Sequence, residues 1–415
     1  MRILFTMTGS WGTGSGTVVE ALTRELTERG HEIAVLYPER VRNDDEAAEV
    51  AALSEEHAPA ARHEVWPFPL EQGDVELYTF PLMIADPNPR NVRGAWTFKE
   101  LSEDELSLYL SSFQERFREV ANDFDPDIVE CHHVWAMPYA VKQLNQQYCV
   151  VAHHSDQMAF HYDERMQPYA TEAAQGAEYI FAVSESTGRE VMDLYDVRDD
   201  NVVVTGNGYD QSVFYPRDDV DRAAIMREFG LGIPPEATVV TFAGKLSRTK
   251  GIDTILLANR RIREERDDVH FVIFGTGALE DALDEDRQDE YDRENVHFPG
   301  HQPYTKIAQF HNVARMSIMP SRTEGFGIAG LEAMGCGLPL VITRTGGLDA
   351  YAEGAVIEPE DDAALAEAVT RIADMPAGEY EALSEDALEA ARRFSWPAIA
   401  EQRLEYFDAM TGEKV

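Results

Sequence analysis

Two successive series of short apolar runs, each run followed by a helical pattern, govern what this chain can fold into. The first series starts at Arg2–Thr6, crosses a glycine loop to a helical pattern over Val18–Arg29 closed by Gly30, and resumes at Glu32–Tyr37. A helix near Glu103–Asn122 is introduced by Ser102 and Glu105, the spacing of a capping box. After Pro126 come apolar runs at Asp127–Glu130, Cys149–Ala152, Tyr179–Val183 and Val202–Thr205. The second series follows Phe214–Arg217, with runs at Val239–Ala243, His270–Phe274, Met316–Met319 and Leu338–Thr343. Such runs suit strands of a parallel sheet covered by helices on both faces. Two series therefore predict an α/β chain of two Rossmann-like domains, joined near Gly208–Arg217. The 415 residues accommodate two domains at ~100–200 residues each. The expected division is 1–212 and 213–393, with a final amphipathic helix in 394–415 packing back on the first domain. Residues 40–98 carry several prolines and read as an elaborated loop region.

Charge narrows the possible partners. Acidic residues number 76 against 36 basic ones, for a formal net charge of -40, and only six of the bases are lysine. Such a surface repels nucleic acid and anionic membranes at ordinary ionic strength. Dispersed acid with scarce lysine suits a protein dissolved in molar salt, where screening removes the self-repulsion, so a halophilic source is expected. Cys131, Cys149 and Cys336 are scattered without metal-ligand spacing, which fits a reducing cytoplasm. The opening MRILFTM is not followed by the features of a secretory signal, and no apolar stretch approaches the ~20 residues of a membrane span. A cytoplasmic location is expected.

Three stretches at strand ends carry the chemistry. GKLSRTKG, Gly244 to Gly251, follows the run VVTFA and holds two of the six lysines, Lys245 and Lys250. Ligands bind at such strand ends in open parallel sheets, and a lysine ammonium suits phosphate oxygens. FGTGALED, from Phe274, repeats a strand, a Gly-x-Gly turn and then a helix. In PSRTEGFGIAGLEAMGCGLPLVIT, Pro320 to Thr343, a strand ends at Pro320, a loop carries Glu324, and the GFG turn opens a helix that runs through Glu332. A helix N-terminus is a ready anion site, and carboxylates accept hydrogen bonds from hydroxyls. The cluster thus offers two cations, helix-start amides and two hydroxyl acceptors, which suits a sugar joined to a nucleotide diphosphate. Solvated loop lysines and ordinary helical acids are the bland alternative.

Other features are less specific. The loop GSWGTGSGT partly resembles a dinucleotide fingerprint through Gly12 and Gly14, with Glu39 after the second strand, but position 17 is threonine where the third glycine belongs. Asp-x-Asp pairs at Asp123–Asp125, Asp125–Asp127, Asp219–Asp221 and Asp284–Asp286 are expected by chance in so acidic a chain. The segment DPNPRNVRGAWTFK, Asp86 to Lys99, carries three bases against one acid together with Trp96 and Phe98. It could touch a lipid-linked or anionic acceptor at a membrane face, or be a plain surface hairpin. His132, His133 and Trp135 could line a site or be structural.

GKLSRTKG and EGFGIAGLE, followed by AMGCGLPLV, resemble the signatures of the GT4 family of retaining, nucleotide-sugar-dependent glycosyltransferases with the GT-B fold. RGHEI near the start, AVSES and TGNGYD extend the resemblance over nearly the whole chain. It implies two facing Rossmann-like domains with a deep interdomain cleft, the donor bound mainly to the second domain and the acceptor over the first. By the resemblance, Lys245 (where the family usually has arginine) and Lys250 would neutralise the diphosphate. Glu324 would bond sugar hydroxyls near the anomeric carbon, the amides of Phe326, Gly327 and Ile328 the sugar or phosphate, and Glu332 the ribose. VVAHHSD resembles the strand that ends in a histidine beside the reacting sugar; His154 matches that register better than His153. Gly14 would take the second place of the family's Gly-Gly pair, with Thr13 in the first. The implied activity is transfer of a hexosyl unit from a nucleotide-diphosphate sugar to an acceptor hydroxyl with retention, with no metal, no separate cofactor and no assigned nucleophile. Rival readings are a nucleotide-sugar epimerase or sugar phosphorylase on the same fold, or a nicotinamide-dependent dehydrogenase using the first glycine loop.

Overall fold

The computed structural model describes residues 1–84, 96–218, 220–347 and 351–412. It divides into two compact units, Met1–Gly206 with Trp396–Val415, and Asn207–Ser395.

The first unit contains β1 (Arg2–Thr6), β2 (Glu32–Arg40), β3 (Arg62–Phe68), the antiparallel hairpin β4 (Leu70–Gln72) and β5 (Val75–Leu77), then β6 (Ile128–His132), β7 (Cys149–Ala152), β8 (Ile180–Ala182) and β9 (Val202–Val204). Its main sheet is parallel, in the order β3-β2-β1-β6-β7-β8-β9. The strands β1, β6, β7 and β8 are buried almost throughout, which is why they read as flat apolar runs. The helix Gly14–Glu28 follows β1 and is capped by Thr13, whose hydroxyl accepts from the Gly16 amide at 3.1 Å. The helix Glu103–Phe124 opens on the expected capping box: Glu105 accepts from the Ser102 amide at 2.7 Å, and Ser102 accepts from the Glu105 amide at 3.2 Å. The last helix, Trp396–Thr411, belongs to this unit and buries Trp396, Ile399, Ala400, Arg403 and Phe407.

The second unit contains β10 (Thr238–Ala243), β11 (Val269–Phe274), β12 (Val296–Gly300), β13 (Met316–Met319), β14 (Leu340–Thr343) and β15 (Gly354–Ile357). They form one parallel sheet in the order β12-β11-β10-β13-β14-β15. Strand order reverses between β1 and β6 in the first sheet and between β10 and β13 in the second. At such a switch the two following loops diverge to opposite faces and leave a crevice at the strands' C-terminal ends.

Three sequence expectations need correction. Residues 40–98 are more regular than a loop region: they hold the helix Asp44–His57, β3 and the hairpin. That helix buries only Ser54, so it shows almost no apolar stripe. In β3 the buried Glu64, paired with Arg62 and with Arg116 at 2.6 Å, disguises a strand as a charged segment. The stretch after the Gly275–Gly277 turn forms only short 3₁₀ turns at Leu279–Ala282 and Glu285–Glu290 in place of the expected helix, with Ala282 and Leu283 buried in the core. Two strands of the second sheet also went unpredicted: β12, which includes a proline and a glycine, and β15, four residues long, are its edges. Most of the basic segment, residues 85–95, and Asp219 lie outside the described residues.

Candidate functional site

The loop after β10 and the loop after β13 start on adjacent strands at the switch of the second sheet, so GKLSRTKG and SRTEGFG are neighbours by topology. A side-chain contact between them joins Lys250 Nζ to Glu324 Oε2 at 2.6 Å. Ser321 Oγ donates to the same carboxylate oxygen at 3.2 Å. Lys245 lies earlier in the first loop, and partial burial lowers its ammonium's pKa. An ammonium that is partly stripped of water gains from an anionic ligand.

Arg322 ties the loops together, a role sequence reasoning missed. Its guanidinium makes a bidentate pair with Asp253 at 2.8 and 2.7 Å, and Asp253 is buried at the start of the helix Ile252–Arg263. The Arg322 amide donates to Thr249 O at 2.8 Å, and its guanidinium also donates to Arg248 O. Gly251, between Lys250 and that helix, has φ +73°, and a Cβ there would lie 2.0 Å from Pro320 O. Only glycine permits this approach. On the other side, a Cβ on Gly346 (φ +61°) would fall 1.7 Å from Glu324 O, so the loop after β14 also presses on the acid.

Gly327 caps the helix Ile328–Gly335. Phe326 is buried against Tyr351 and Phe394, and the Tyr351 hydroxyl lies 2.9 Å from Phe326 O and 2.6 Å from Gly327 O. These contacts hold the turn so that its amides head the helix. Glu332 lies further along, 9% exposed. Burial first, and the charge of Asp210 second, push its carboxyl up to about 8. The structure therefore brings Lys250 and Glu324 into contact, places Lys245 on the same loop as Lys250, and sets Phe326, Gly327, Ile328 and Glu332 on the turn and helix that follow Glu324.

Gly14 and His154 belong to the first unit. Gly14 is exposed at the first position of its helix, and a Cβ there would meet nothing within 4 Å. Thr13 before it supplies the cap, a use for the residue that departs from the family's Gly-Gly pair. His154 follows β7 with φ +73°, half-buried, its Nδ1 3.1 Å from Glu190 Oε2. His153 turns elsewhere, its Nε2 2.9 Å from His132 Nδ1. Two Asp-x-Asp pairs have structural partners: Asp125 and Asp127 bond the side chain and amide of Arg2 at 2.6 and 2.7 Å, and Asp123 pairs with Arg62. No group of three or more His, Cys, Asp or Glu suited to a metal occurs among the described residues.

Two parallel-sheet units, each with a strand-order switch, fit the GT-B class, to which the chain's likeness to solved structures assigns its fold. The chain aligns over its full length with all of the sucrose-phosphate synthase of Thermosynechococcus elongatus, with a TM-score of 0.74 at 20% identity. It aligns over 99% of its length with all of Anabaena HepE, solved in complex with UDP and glucose, with a TM-score of 0.68 at 17% identity. Residues 12–213 match the family described as Glycosyltransferase Family 4, and residues 227–392 that described as Glycosyl transferases group 1. Each match covers less than half of the chain, and both are to glycosyltransferase families. Among curated relatives, the D-inositol 3-phosphate glycosyltransferase of Thermomonospora curvata is 28% identical over 58% of this chain and 58% of its own length. One from Catenulispora acidiphila is 30% identical over 55% and 56%. An uncharacterised glycosyltransferase of Methanocaldococcus jannaschii is 26% identical over 68% and 75%. The chain spans a little over half the length of the first two relatives.

Proposed function

We propose that this protein transfers a hexosyl unit from a nucleotide-diphosphate sugar to an acceptor hydroxyl, with retention of configuration. The observation that carries this reading is the 2.6 Å contact of Lys250 with Glu324 on the two loops that flank the switch of the second sheet. Lys245, Lys250 and the helix-start amides of Phe326, Gly327 and Ile328 neutralise the diphosphate as it departs. Glu324 accepts hydrogen bonds from the sugar and Glu332 from the ribose. Departure leaves an oxocarbenium-like sugar, which the acceptor oxygen attacks as its hydroxyl proton passes to the departing diphosphate. Gly14 and His154 are proposed contacts to substrate from the first unit. No metal and no further cofactor take part in this scheme: ammonium charge and helix dipole take the place of a divalent cation at the leaving group.

The acceptor is a glycan, a lipid-linked glycan or a small polyol phosphate; the last follows the activity named for the curated relatives. The proposed setting is a halophile's cytoplasm, with peripheral membrane contact through the basic segment around Lys99. No helix among the described residues is long and apolar enough to cross a membrane.

The test is a turnover panel of UDP-, GDP- and ADP-sugars at molar salt, with and without polyol-phosphate and glycan acceptors. Product anomers are assigned by NMR. At least one donor should give acceptor-dependent product of retained configuration, and Glu324→Gln should abolish turnover while the fold persists. Epimerised donor without acceptor, phosphate-dependent cleavage, or NADH binding without sugar transfer would each replace this reading by its corresponding rival.

A further inference from the structure

Beneath the C-terminal edge of the first sheet runs a string of buried groups that the scheme above leaves unused. Arg403, on the closing helix Trp396–Thr411, is 1% exposed. Its guanidinium lies 3.7 Å from the Phe181 ring centroid, and its Nη1 lies 3.4 Å from Glu130 Oε2. Glu130 and His132, both on β6, are fully buried, with Glu130 Oε1 3.3 Å from His132 Nε2. His132 Nδ1 then meets His153 Nε2 at 2.9 Å, the two ring planes 23° apart. His153 is half-buried at the end of β7. Its amide and that of Val134 both donate to Asp156, at 2.9 and 2.8 Å, which joins the loops after β6 and β7. The loop after β1 arrives through Thr8, whose hydroxyl lies 2.7 Å from His133 Nδ1. The string therefore ends beside the strand-order switch of the first sheet, the place where open α/β sheets bind ligands.

The proton positions follow from the first member. The Arg403 guanidinium holds the Glu130 carboxyl below its usual range despite its burial, so it is an acceptor only. The approach of His132 Nε2 to that carboxylate is too bent for a strong hydrogen bond. A buried anion at 3.3 Å still favours the tautomer with its proton on Nε2. Burial keeps His132, His133 and His153 neutral, so each imidazole carries one proton. His132 Nδ1 is then bare and must accept, and His153 Nε2 must donate. The one proton of His153 is committed inward and its Nδ1 is left with a lone pair. Among the described residues no group bonds that nitrogen.

We propose that Arg403, Glu130 and His132 are positioning residues that lock His153 as a hydrogen-bond acceptor for a hydroxyl of the acceptor substrate. The proposal rests on the transferase reading for the identity of that hydroxyl, but the tautomer lock stands independently of it. A mere stabilising role accounts for the string less well, because a buried ion pair costs desolvation that an apolar pair avoids. The closing helix, far away in sequence, thus sets the hydrogen-bonding sense of a group at the edge of the sheet.

The experiment uses the full chain with ¹⁵N-labelled histidine, whose long-range ¹⁵N–¹H correlations report each tautomer. In the wild type, His153 should carry its proton on Nε2 and none on Nδ1. The double variant Glu130→Gln/Arg403→Met removes both charges together and leaves neither buried alone. Its amide can face His132 either way, so the His132 and His153 tautomers should mix. The acceptor kcat/KM should fall at least about tenfold, with donor Kd and unfolding midpoint close to wild type. Arg403→Lys keeps the charge and should keep both the tautomers and the kcat/KM. A protonated Nδ1 on wild-type His153 overturns the proposal, and so does a double variant with unchanged tautomers and acceptor kcat/KM. If the double variant does not fold, the wild-type and Arg403→Lys spectra still decide. If no donor is turned over, the transferase reading fails while the tautomer result still stands for or against the lock.

Discussion

At the scale of single residues, the most informative group is Glu332. Its carboxyl titrates at about 8, raised from 4.5, because burial disfavours the ionised form and Asp210 adds like charge. Its folded value exceeds its unfolded one, so folding carries a penalty that is absent below pH 4.5 and grows as pH rises through about 8. Ribose hydroxyls donating to this group favour the carboxylate and pull the value back down. Donor binding near pH 7 should therefore release a proton, and affinity should rise with pH until the free protein's Glu332 is ionised. Calorimetry in two buffers of unlike ionisation heat measures the proton directly, and Glu332→Gln should abolish the release. Proton uptake, or release that persists in the variant, would remove Glu332 from the ribose role. The sequence exposed Glu332 through its apolar neighbours Leu331, Ala333 and Met334, and Lys245 and Lys250 through the scarcity of lysine elsewhere. It could not expose Arg403, Glu130 and His132 as one string, because no local spacing links the closing helix to β6.

At the scale of elements, short loops do the positioning, and glycine sets how closely they approach. Gly251→Ala forces a Cβ to 2.0 Å from Pro320 O at φ +73°. It should cost about 1–3 kcal/mol and separate the loops that hold Lys250 and Glu324. Gly230, at φ +66° with nothing within 4 Å of an added Cβ, is the control: Gly230→Ala adds left-handed strain without touching the site. Both variants should lower the unfolding midpoint, but only Gly251→Ala should weaken donor binding. Equal donor affinity in the two would mean that the loop approach is not what shapes the site. Elements were legible where burial was two-sided, as in β1, β6, β10 and β13, whose apolar runs need no periodicity to be seen. They were illegible where charge was buried with a partner, as at Glu64 with Arg116, or where a helix such as Asp44–His57 buries little.

At the scale of the whole molecule, the net charge of -40 should make stability depend on salt. Screening shortens from ~10 Å at 0.1 M to ~3 Å at 1 M and relieves repulsion among the dispersed acids. The unfolding midpoint should rise steadily as KCl is raised from dilute buffer to molar concentration, and a flat profile would argue against a halophilic source. The two-unit α/β architecture was legible in the double series of apolar runs, because each parallel sheet writes its strands into the chain one helix apart. The central claim is that the Lys250–Glu324 pair at the switch of the second sheet holds the diphosphate and sugar of an activated donor. The most direct measurement is the Kd of the donor that turns over, by titration calorimetry at molar salt, for wild type and Lys250→Ala. The account expects binding at least about tenfold weaker in the variant, or roughly 1.4 kcal/mol, with the unfolding midpoint preserved. An unchanged Kd in a folded variant would contradict it.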